Sequence, residues 1–384
     1  MSSLFSEGPF KPMIASSTAA VNRQVLTVLH FIPTLEGGGA ERQLSMLATE
    51  QARRGYDVHV AVRRTGVHTR AMFGVQLHDL GDVRSTNPRL LIAMKRVIVE
   101  VRPHIVQTWL PQMDILGGVG ALASRIAWVV SERTSGNYYR EIPVIARARL
   151  LLGQFASAII ANSAGGERYW QGAAYRSLRL VTIRNALDVE RIQGSMPPEL
   201  SETFRKPFLL VVGRFSREKR LEIIVGALRD VCRDRSVNVF MIGEGSERGT
   251  IEKDIEAASL SEYITVLPYQ PEWWRWLKIA DGLISMSRYE GNPNVVLEAM
   301  AGCCPLILSD ITAHREIADS SSALFVPVDD VSALSTAIRT LIADKDAALR
   351  RAEKAFKRVE SMTPAAMADA YEAVYNEVLG RKDY

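Results

Sequence analysis

Two glutamates eight positions apart mark the stretch SRYEGNPNVVLEAMAG, residues 287–302. Glu290 precedes a turn that contains glycine and proline, and Glu298 follows a short apolar run. A helix that only packs against a core needs neither carboxylate. Because a carboxylate can accept hydrogen bonds from two neighbouring hydroxyl groups, the pair suggests a ligand rich in hydroxyls.

The residues between the two glutamates predict the start of a helix. Asn292 is a good N-cap, and Pro293 fits the first helical position, where no amide proton is needed. The amides of residues 294–296 would then point out of the helix at the positive end of its dipole. This arrangement predicts a phosphate site between the two carboxylates.

The stretch VVGRFSREKRLE places two cations after a predicted strand. Gly213 ends the strand, Arg214 follows it, and Lys219 begins the next helix. Arginine offers a planar fork to phosphate oxygens, whereas lysine offers a compact, mobile charge. Both side chains are predicted to lie at the sheet edge where α/β proteins bind ligands.

Two further glycine turns connect a predicted strand to a helix. One contains three glycines at 37–39, and the other has Gly243 and Gly245 around Glu244, with Ser246 as a plausible N-cap. Glycine allows close backbone approach, and a helix start favours an anion. The turn at 37–39 is neither a Walker nor a Rossmann fingerprint, and the turn at Gly243 is of a common kind, so an ordinary strand-to-helix turn remains the alternative for each. Three such turns at one cleft favour a binding site.

A nucleoside diphosphate sugar satisfies these features together. Its diphosphate would meet the helix amides with Arg214 and Lys219. Its ribose diol would meet one glutamate, and the sugar hydroxyls would meet the other. A solvated basic loop and a surface helix with ordinary glutamates are the structural alternatives.

Short β-branched runs alternate with amphipathic helical patterns, which predicts repeated β-α units and parallel sheets. The first half contains predicted strands at 25–32, 57–62, 104–109, 127–131, 157–161 and 180–185. The second half contains predicted strands at 207–213, 237–243, 264–268, 281–286 and 305–309. Residues 186–206 contain a Pro pair and predict a linker. The expected fold is α/β, with two doubly wound Rossmann-like domains at 24–190 and 207–363 that face a cleft.

Charge and cysteine content indicate a compartment and a class of partner. The net charge is +4, but residues 1–190 hold 22 Lys/Arg against 14 Asp/Glu. This excess favours an anionic partner such as a membrane surface, with chance surface charge as the alternative. Three cysteines without zinc-ligand spacing fit a reducing cytoplasm. No nucleic-acid-binding motif accompanies the mild basicity, so no nucleic acid partner is expected.

The first residues and the hydropathy of the chain predict neither secretion nor insertion into a membrane. Residues 1–23 lack a signal-peptide pattern and predict a disordered leader. No apolar run approaches the roughly 20 residues needed to span a bilayer. Any membrane contact is therefore expected to be peripheral.

Several segments together resemble a known family. EGNPNVVLEAMAGCCP, VVGRFSREKR, MIGEGSE, GGGAERQ and TAHREIA are similar to segments of the retaining glycosyltransferases of family 4, which have the GT-B fold. The resemblance spans residues 25–381, and the paired glutamates are its most specific part. It implies that the last helix, within 364–384, crosses back to the first domain.

The resemblance also implies a role for each candidate residue. Glu298 would hold the donor ribose, Glu290 would face the donor sugar, and the two cations would neutralise the diphosphate. The expected donor-binding residues are Gly38, Gly39, Gly213, Gly243, Glu244, Gly291, Asn292, Asn294, Val295, Val296 and Glu298. The expected catalytic residues are Arg214, Lys219, Glu290, Arg133 and Glu132. The last two stand in VVSERTSG, where many relatives carry a histidine.

The implied reaction moves a sugar from a nucleotide sugar, most simply a UDP-hexose or UDP-N-acetylhexosamine, with retention at the anomeric carbon. The expected acceptor is a saccharide that is lipid-linked, as in surface polysaccharide or lipopolysaccharide assembly, at the inner face of the cytoplasmic membrane. Neither a cofactor nor a metal is expected, because the Asp-x-Asp at 344–346 falls in a predicted turn. Arg140, Arg147 and Arg149 flank an apolar helix that predicts contact with anionic lipid, although a buried helix remains the alternative.

Two rival functions remain open on sequence alone. A UDP-sugar 2-epimerase also binds its substrate between two such domains and would need no acceptor. A non-catalytic nucleotide-sugar-binding module is the second rival, and the intact set of cations and glutamates argues against it.

Overall fold

A computed structural model describes residues 25–66, 69, 72–83, 87–134, 138–173, 177–199 and 207–380. The expected leader and the end of the expected linker lie outside these ranges. Among the helices within them, none is both long and apolar enough to cross a bilayer.

The first domain is built on a seven-stranded parallel sheet with strand order β3-β2-β1-β4-β5-β6-β7. Its strands are β1 (Thr27–Thr34), β2 (Asp57–Arg64), β3 (Val75–Asp79), β4 (Ile105–Trp109), β5 (Ala127–Glu132), β6 (Ala158–Ala161) and β7 (Leu180–Thr182). Its helices are α1 (Gly39–Arg53), α2 (Pro88–Val101), α3 (Pro111–Ala123), α4 (Pro143–Gly153) and α5 (Ala164–Gly172). The central strands are continuous apolar runs because helices cover both faces of the sheet.

The second domain is built on a six-stranded parallel sheet with strand order β10-β9-β8-β11-β12-β13. Its strands are β8 (Phe208–Val212), β9 (Asn238–Ile242), β10 (Ile264–Leu267), β11 (Gly282–Ser285), β12 (Leu306–Ser309) and β13 (Leu324–Val326). The helices around it are α6 (Val189–Gly194), α7 (Leu221–Val231), α8 (Arg248–Ala257), α9 (Asn294–Ala301), α10 (Thr312–Arg315), α11 (Val331–Ala343) and α12 (Lys345–Lys357).

Both sheets have the same winding, which confirms the predicted fold class. In each domain the first strand pairs with the second on one side and with the fourth on the other, so the strand order reverses beside β1 and beside β8. Open parallel sheets bind ligands at such switch points, beyond the carboxyl ends of the strands. The loops after β1 and β8 are therefore the places where the fold directs a ligand.

The last helix, α13 (Pro364–Val378), packs into the core of the first domain. Tyr371 and Tyr375 are fully buried there among residues of the first sheet and α1. The Tyr375 hydroxyl donates to Gln107 Oε1 in β4 and accepts from Gln51 Nε2 in α1. α13 thus completes the core of the first domain.

Two features differ from the sequence pattern. The first part of the expected linker is ordered, because α6 buries Ile192 among the apolar residues of the second domain. The pattern also fails to predict β3 and β13. β3 lies at the edge of its sheet with mostly exposed side chains, and β13 has three residues, so neither shows the apolar run of a central strand.

Candidate active site

The starts of two helices, one from each domain, meet across the cleft. α1 begins at Gly39, and α9 begins at Asn294. A Cβ atom on Gly39 would lie 2.4 Å from Asn294 Nδ2, and a Cβ atom on Gly38 would lie 2.1 Å from Glu41 Oε2. Neither position has room for a side chain unless the facing side chain moves. The two positive helix ends are therefore close together.

The start of α9 differs from the prediction in one respect. The helix begins one residue later than expected, with Pro293 in the N-cap position, so the Asn292 side chain does not cap it. Asn292 Oδ1 instead accepts a hydrogen bond from the backbone amide of Asn185 in the first domain, at 3.4 Å. The first helical hydrogen bond ends on the Pro293 carbonyl. The amides of residues 294–296 lie ahead of it, as an anion site requires.

Glu290 and Lys219 form an ion pair in the turn before α9. Lys219 Nζ lies 2.5 Å from Glu290 Oε1, and the Ser287 hydroxyl donates to the same oxygen at 2.7 Å. Burial opposes ionisation of Glu290, but the Lys219 charge and the two hydrogen bonds outweigh it, so the pKa of Glu290 lies below its ordinary value. Glu290 is therefore a carboxylate at neutral pH.

Arg214 lies exposed just beyond β8, after Gly213. Within the described parts of the chain its guanidinium has no hydrogen bond or ion pair, so its N–H donors are available to an anion. Its position at the carboxyl edge of the second sheet is the one that the sequence predicts.

The glycine turn after β9 supports the turn after β8. A Cβ atom on Gly243 would lie 1.9 Å from the Gly213 carbonyl oxygen, and the Phe215 amide donates to the Glu244 carbonyl at 2.8 Å. Gly243 is therefore explained by contact between two backbones. The Glu244 carboxylate pairs with Arg248, the first residue of α8, at 2.7 Å. That helix has Glu247, rather than the predicted Ser246, in its N-cap position.

Both carboxylate oxygens of Glu298 have partners. Arg42 of α1 pairs with Oε1, and the Trp273 indole donates to Oε2 at 2.7 Å. The Arg42 guanidinium also lies over Trp274, 4.7 Å from the ring centroid. Burial raises the pKa of Glu298, although the Arg42 charge and the Trp273 hydrogen bond act in the opposite direction. Arg42 is part of the GGGAERQ segment, but its spacing alone does not reveal this contact.

Arg133 reaches α9 through Asn185, a residue that sequence reasoning missed. Arg133 Nη2 donates to Asn185 Oδ1 at 2.6 Å, and Asn185 Nδ2 donates to Asn294 Oδ1 at 2.5 Å. The Arg133 guanidinium lies 5.0 Å from the centroid of the Trp109 ring. Its Nε and Nη1 atoms are buried without a hydrogen-bond partner among the described residues. A polar side chain just after β7, at the carboxyl edge of the sheet, is the signal that could have pointed to Asn185.

The comparison with known families agrees with this geometry. The family described as Glycosyltransferase Family 4 matches residues 37–191, and the family described as Glycosyl transferases group 1 matches residues 196–358. The chain belongs to family 4 of the glycosyltransferases. The first match falls on the first domain of this glycosyltransferase, and the second match falls on the second domain.

Two curated relatives of this chain are named as glycosyltransferases. It is 25% identical over 207 residues to the N-acetylgalactosamine-N,N'-diacetylbacillosaminyl-diphospho-undecaprenol 4-alpha-N-acetylgalactosaminyltransferase of Campylobacter jejuni, covering 53% of this chain and 55% of the relative. It is 22% identical over 309 residues to the lipopolysaccharide core biosynthesis glycosyltransferase LpsD of Rhizobium meliloti. This match covers 79% of this chain and 84% of the relative. The match thus spans about half the length of the Campylobacter relative.

Solved structures share the fold at low identity. Anabaena Alr3699/HepE in complex with UDP-glucose superposes with a TM-score of 0.80 at 15% identity, covering 92% of this chain and 100% of the other. The lipopolysaccharide outer core galactosyltransferase WaaB gives a TM-score of 0.68 at 14% identity, covering 92% of this chain and 99% of the other. The architecture of this glycosyltransferase is therefore the GT-B fold.

Glu132 of this glycosyltransferase lies in a buried ion cluster rather than in the cleft. Its carboxylate accepts from Arg149 at 2.6 Å, from the Trp170 indole at 3.0 Å and from the Tyr139 hydroxyl at 2.9 Å. Arg149 also pairs with Asp114 at 2.6 Å. These contacts occupy the carboxylate, which favours a positioning role for Glu132 over the catalytic role predicted from sequence.

The same cluster corrects the prediction for α4. Arg149 was expected to face lipid together with Arg140 and Arg147, but it is 2% exposed. The predicted lipid contact is wrong for this residue, because α4 packs against α3 and the arginine is neutralised there by Asp114 of α3 and Glu132 of β5. Arg140 and Arg147 are exposed, as predicted.

His314, within TAHREIA, is a second residue that sequence reasoning left unassigned. Its Nδ1 donates to the Ser309 carbonyl oxygen at 2.8 Å. Burial lowers the pKa of His314, although the nearby Glu290 carboxylate acts in the opposite direction, so the imidazole is neutral at pH 7. Nε2 is buried without a partner among the described residues, so it can accept a hydrogen bond.

A cavity of about 380 Å³ opens between the domains beside Glu290. The start of α5 lines one wall, and residues 288–291 and 310–313 line the other. Arg168 of α5 pairs across the cavity with Glu316 at 3.3 Å. Gly291 lies against the turn after β5, where a Cβ atom on it would be 3.1 Å from the Arg133 carbonyl oxygen. The cavity thus adjoins both the donor-side loop and the first domain.

The predicted Asp-x-Asp turn has a structural explanation. Asp344 caps α12, accepting a hydrogen bond from the Ala347 amide at 2.9 Å. Across the described residues, no group of three or more His, Cys, Asp or Glu side chains has the arrangement of a metal site.

Proposed function

We propose that this glycosyltransferase moves a sugar from a UDP-sugar to a saccharide acceptor, with retention at the anomeric carbon. The observation that carries the proposal is the assembly around α9. An ionised Glu290 paired with Lys219, the amides that begin α9, the unpaired Arg214 and the buried Glu298 all belong to α9 or to the loops that follow β8 and β11. The rest of the proposal assigns each part of the donor to one of these groups.

The diphosphate lies on the amides of residues 294–296 with Arg214 and Lys219. Helix amides and the two cations together offset the charge that develops when the nucleotide leaves. Glu298 accepts hydrogen bonds from the ribose diol. Glu290 accepts hydrogen bonds from hydroxyls of the transferred sugar, with His314 Nε2 as a further acceptor nearby.

The transfer proceeds on one face of the sugar. The bond between the anomeric carbon and the diphosphate oxygen breaks, and the acceptor oxygen bonds to the same face of that carbon. The acceptor proton passes to the departing phosphate oxygen, so no protein nucleophile is needed. Cations and helix amides held in place before the reaction lower the barrier because they need no reorganisation.

UDP as the nucleotide draws support from the likeness to Anabaena Alr3699/HepE, whose structures contain UDP, UDP with glucose, and UDP-glucose. A hexose or N-acetylhexosamine is the proposed sugar. The names of the Campylobacter and Rhizobium relatives support a lipid-linked or lipopolysaccharide acceptor. We place that acceptor in the cavity beside Glu290.

An anionic membrane surface is the proposed partner of the first domain. Val144, Leu151 and Phe155 on and after α4 are 77%, 58% and 57% exposed, and Arg147 is exposed beside them. Exposed apolar and basic side chains on one helix suit the interface of an anionic bilayer. The unpaired state of the three cysteines accords with a position at the cytoplasmic face.

Vesicle co-sedimentation tests the membrane proposal. Vesicles rich in phosphatidylglycerol should pellet the protein at low salt, and vesicles of phosphatidylcholine should not. Arg147→Glu should weaken the binding, whereas Arg233→Glu, on an exposed arginine of the second domain, should leave it unchanged. Equal vesicle binding by the two variants would show that α4 does not contact the membrane.

A panel of UDP- and GDP-sugars tests the reaction itself. Thermal shift identifies the donor, since a ligand that binds the native state raises its stability. Transfer of labelled sugar to a lipid-linked oligosaccharide, with the α or β configuration preserved, supports the proposal. Conversion of the donor in the absence of acceptor would favour the epimerase, and donor binding without turnover would favour a binding module.

Metal independence is tested in the same assay. We propose that Arg214, Lys219 and the α9 amides supply the positive charge at the diphosphate. Activity should therefore survive EDTA. Loss with EDTA and return with Mg²⁺ or Mn²⁺ would show that the charge comes from a metal ion instead.

A further inference from the structure

The carboxylate proposed to bind the donor ribose is already occupied. Arg42 pairs with Glu298 Oε1, and the Trp273 indole donates to Oε2. The side chains of Arg42 and Glu298 are 19% and 4% exposed, so the pair is largely shielded from water. A ribose diol needs acceptor sites on the same oxygens, so it must compete with at least one of these partners.

Of the two partners, Arg42 is the one that can leave. Trp273 is packed in the apolar core of the second domain together with the residues of α9. Arg42 belongs to α1 of the first domain and reaches Glu298 by a long side chain. It rests on the face of Trp274, which fixes it only by the attraction between a cation and a ring.

The Glu298 carboxylate also needs a partner when no nucleotide is bound. Glu298 is buried, and burial of a carboxylate without a cation is unfavourable. Arg42 supplies that cation in the ligand-free protein. The diol supplies two hydrogen-bond donors but no charge, so the exchange replaces an ion pair between domains by a contact with the ligand.

We propose that Arg42 is a placeholder for the donor ribose, which pairs with Glu298 in the free enzyme and is displaced when the nucleotide binds. The inference rests on the proposed function, because it takes the donor as the ligand of Glu298. Its consequence is that donor binding breaks one contact between α1 and the second domain. The freed guanidinium stays on the first turns of α1, close to the helix starts where the diphosphate lies.

Calorimetric titration of UDP and GDP tests the placeholder. Wild type is compared with Arg42→Gln and with Arg53→Gln, which removes a charge from an exposed residue of the same helix. Arg42→Gln should bind the nucleotide about 5-fold more tightly, the size of a competing ion pair of about 1 kcal/mol. Arg53→Gln should bind like wild type. Equal or weaker binding by Arg42→Gln overturns the proposal, and a misfolded variant cannot mimic tighter binding.

Inorganic diphosphate separates competition from direct phosphate binding. It lacks the ribose, so its affinity should be the same for wild type and Arg42→Gln. Weaker binding of both UDP and diphosphate by the variant would make Arg42 a phosphate ligand and overturn the placeholder. If wild type binds neither nucleotide, the proposed function fails; if wild type binds one and Arg42→Gln gains nothing, the placeholder alone fails.

Discussion

Asn185 and Asn294 join the two domains by a side-chain hydrogen bond of 2.5 Å, in which the Asn185 amide donates to the Asn294 oxygen. Asn185 also accepts from Arg133 at 2.6 Å. The relay fixes Asn294 at the start of α9, where the diphosphate is proposed to lie. The orientation of that helix start therefore depends on a residue of the other domain.

Replacement of Asn185 by alanine should lower kcat by about 10- to 100-fold, because a small displacement of the helix start misplaces the leaving group. Initial rates with saturating donor measure the effect. Asn87→Ala is the matched control, since the Asn87 side chain caps α2 by accepting from the Arg89 amide, and its loss should cost about 1 kcal/mol of stability but no activity. A wild-type kcat in Asn185→Ala would show that the relay does not position the donor.

Arg214→Ala and Lys219→Ala should each lower kcat by about 10²-fold, as the loss of a charge contact to the leaving group does. Arg217→Ala is the control within the same loop, because the Arg217 side chain is 91% exposed and lies 3.6 Å from Glu247. Its kcat should equal that of wild type. Unchanged turnover in both test variants would refute the diphosphate assignment.

Arg149→Met should destabilise the protein by about 3–5 kcal/mol, because it leaves the carboxylates of Asp114 and Glu132 buried without a cation. Urea unfolding measures the change. Arg147→Met, on the exposed face of the same helix, should change the free energy of unfolding by less than about 0.5 kcal/mol. Adding Asp114→Asn and Glu132→Gln to Arg149→Met should recover part of the loss; no recovery would contradict the ion-cluster account.

The free energy of unfolding should fall as the pH is lowered from about 6.5 to about 4, because His30 is buried as a neutral imidazole. The imidazole is fully buried, accepting from the Trp109 indole at 3.2 Å and hydrogen-bonded to Gln51 at 2.9 Å. Burial lowers the pKa of His30 from 6.5 to about 4. Within this window the unfolded chain binds a proton that the folded protein does not, so up to about 3 kcal/mol is lost on acidification.

Urea midpoints at several pH values, in wild type and in His30→Gln, check this expectation. The variant lacks the titrating group, so its free energy of unfolding should change less steeply across the same window. The absolute stability of the variant does not matter, because the comparison is between slopes. Identical slopes would assign the acid sensitivity to other groups.

Local sequence patterns are sufficient for the helices that carry the site. The start of α9 at Asn294 lies within one residue of the predicted start, because turn residues set helix limits within a few positions. The N-cap of α9 is the exception. Asn292 has the right residue type for a cap, but its oxygen is taken by an amide of the other domain.

Long-range partners could not be predicted in the same way. Arg42 is 256 positions from Glu298, and Asn185 is 109 positions from Asn294. No local spacing links such pairs, since only the packing of two domains brings them together. Glu132 shows the same difficulty: a carboxylate after a strand is equally compatible with a cleft and with a buried cluster, and the decisive neighbours come from helices elsewhere in the chain.

The packing of α13 has a consequence for the order in which the protein matures during synthesis. The Tyr375 hydroxyl closes a buried contact between Gln51 and Gln107, both of which are made hundreds of residues earlier. Until the last helix leaves the ribosome, those two amide side chains and the apolar surface under α13 lack their cover. The domain that is translated first is therefore finished last, after the second domain has had time to fold.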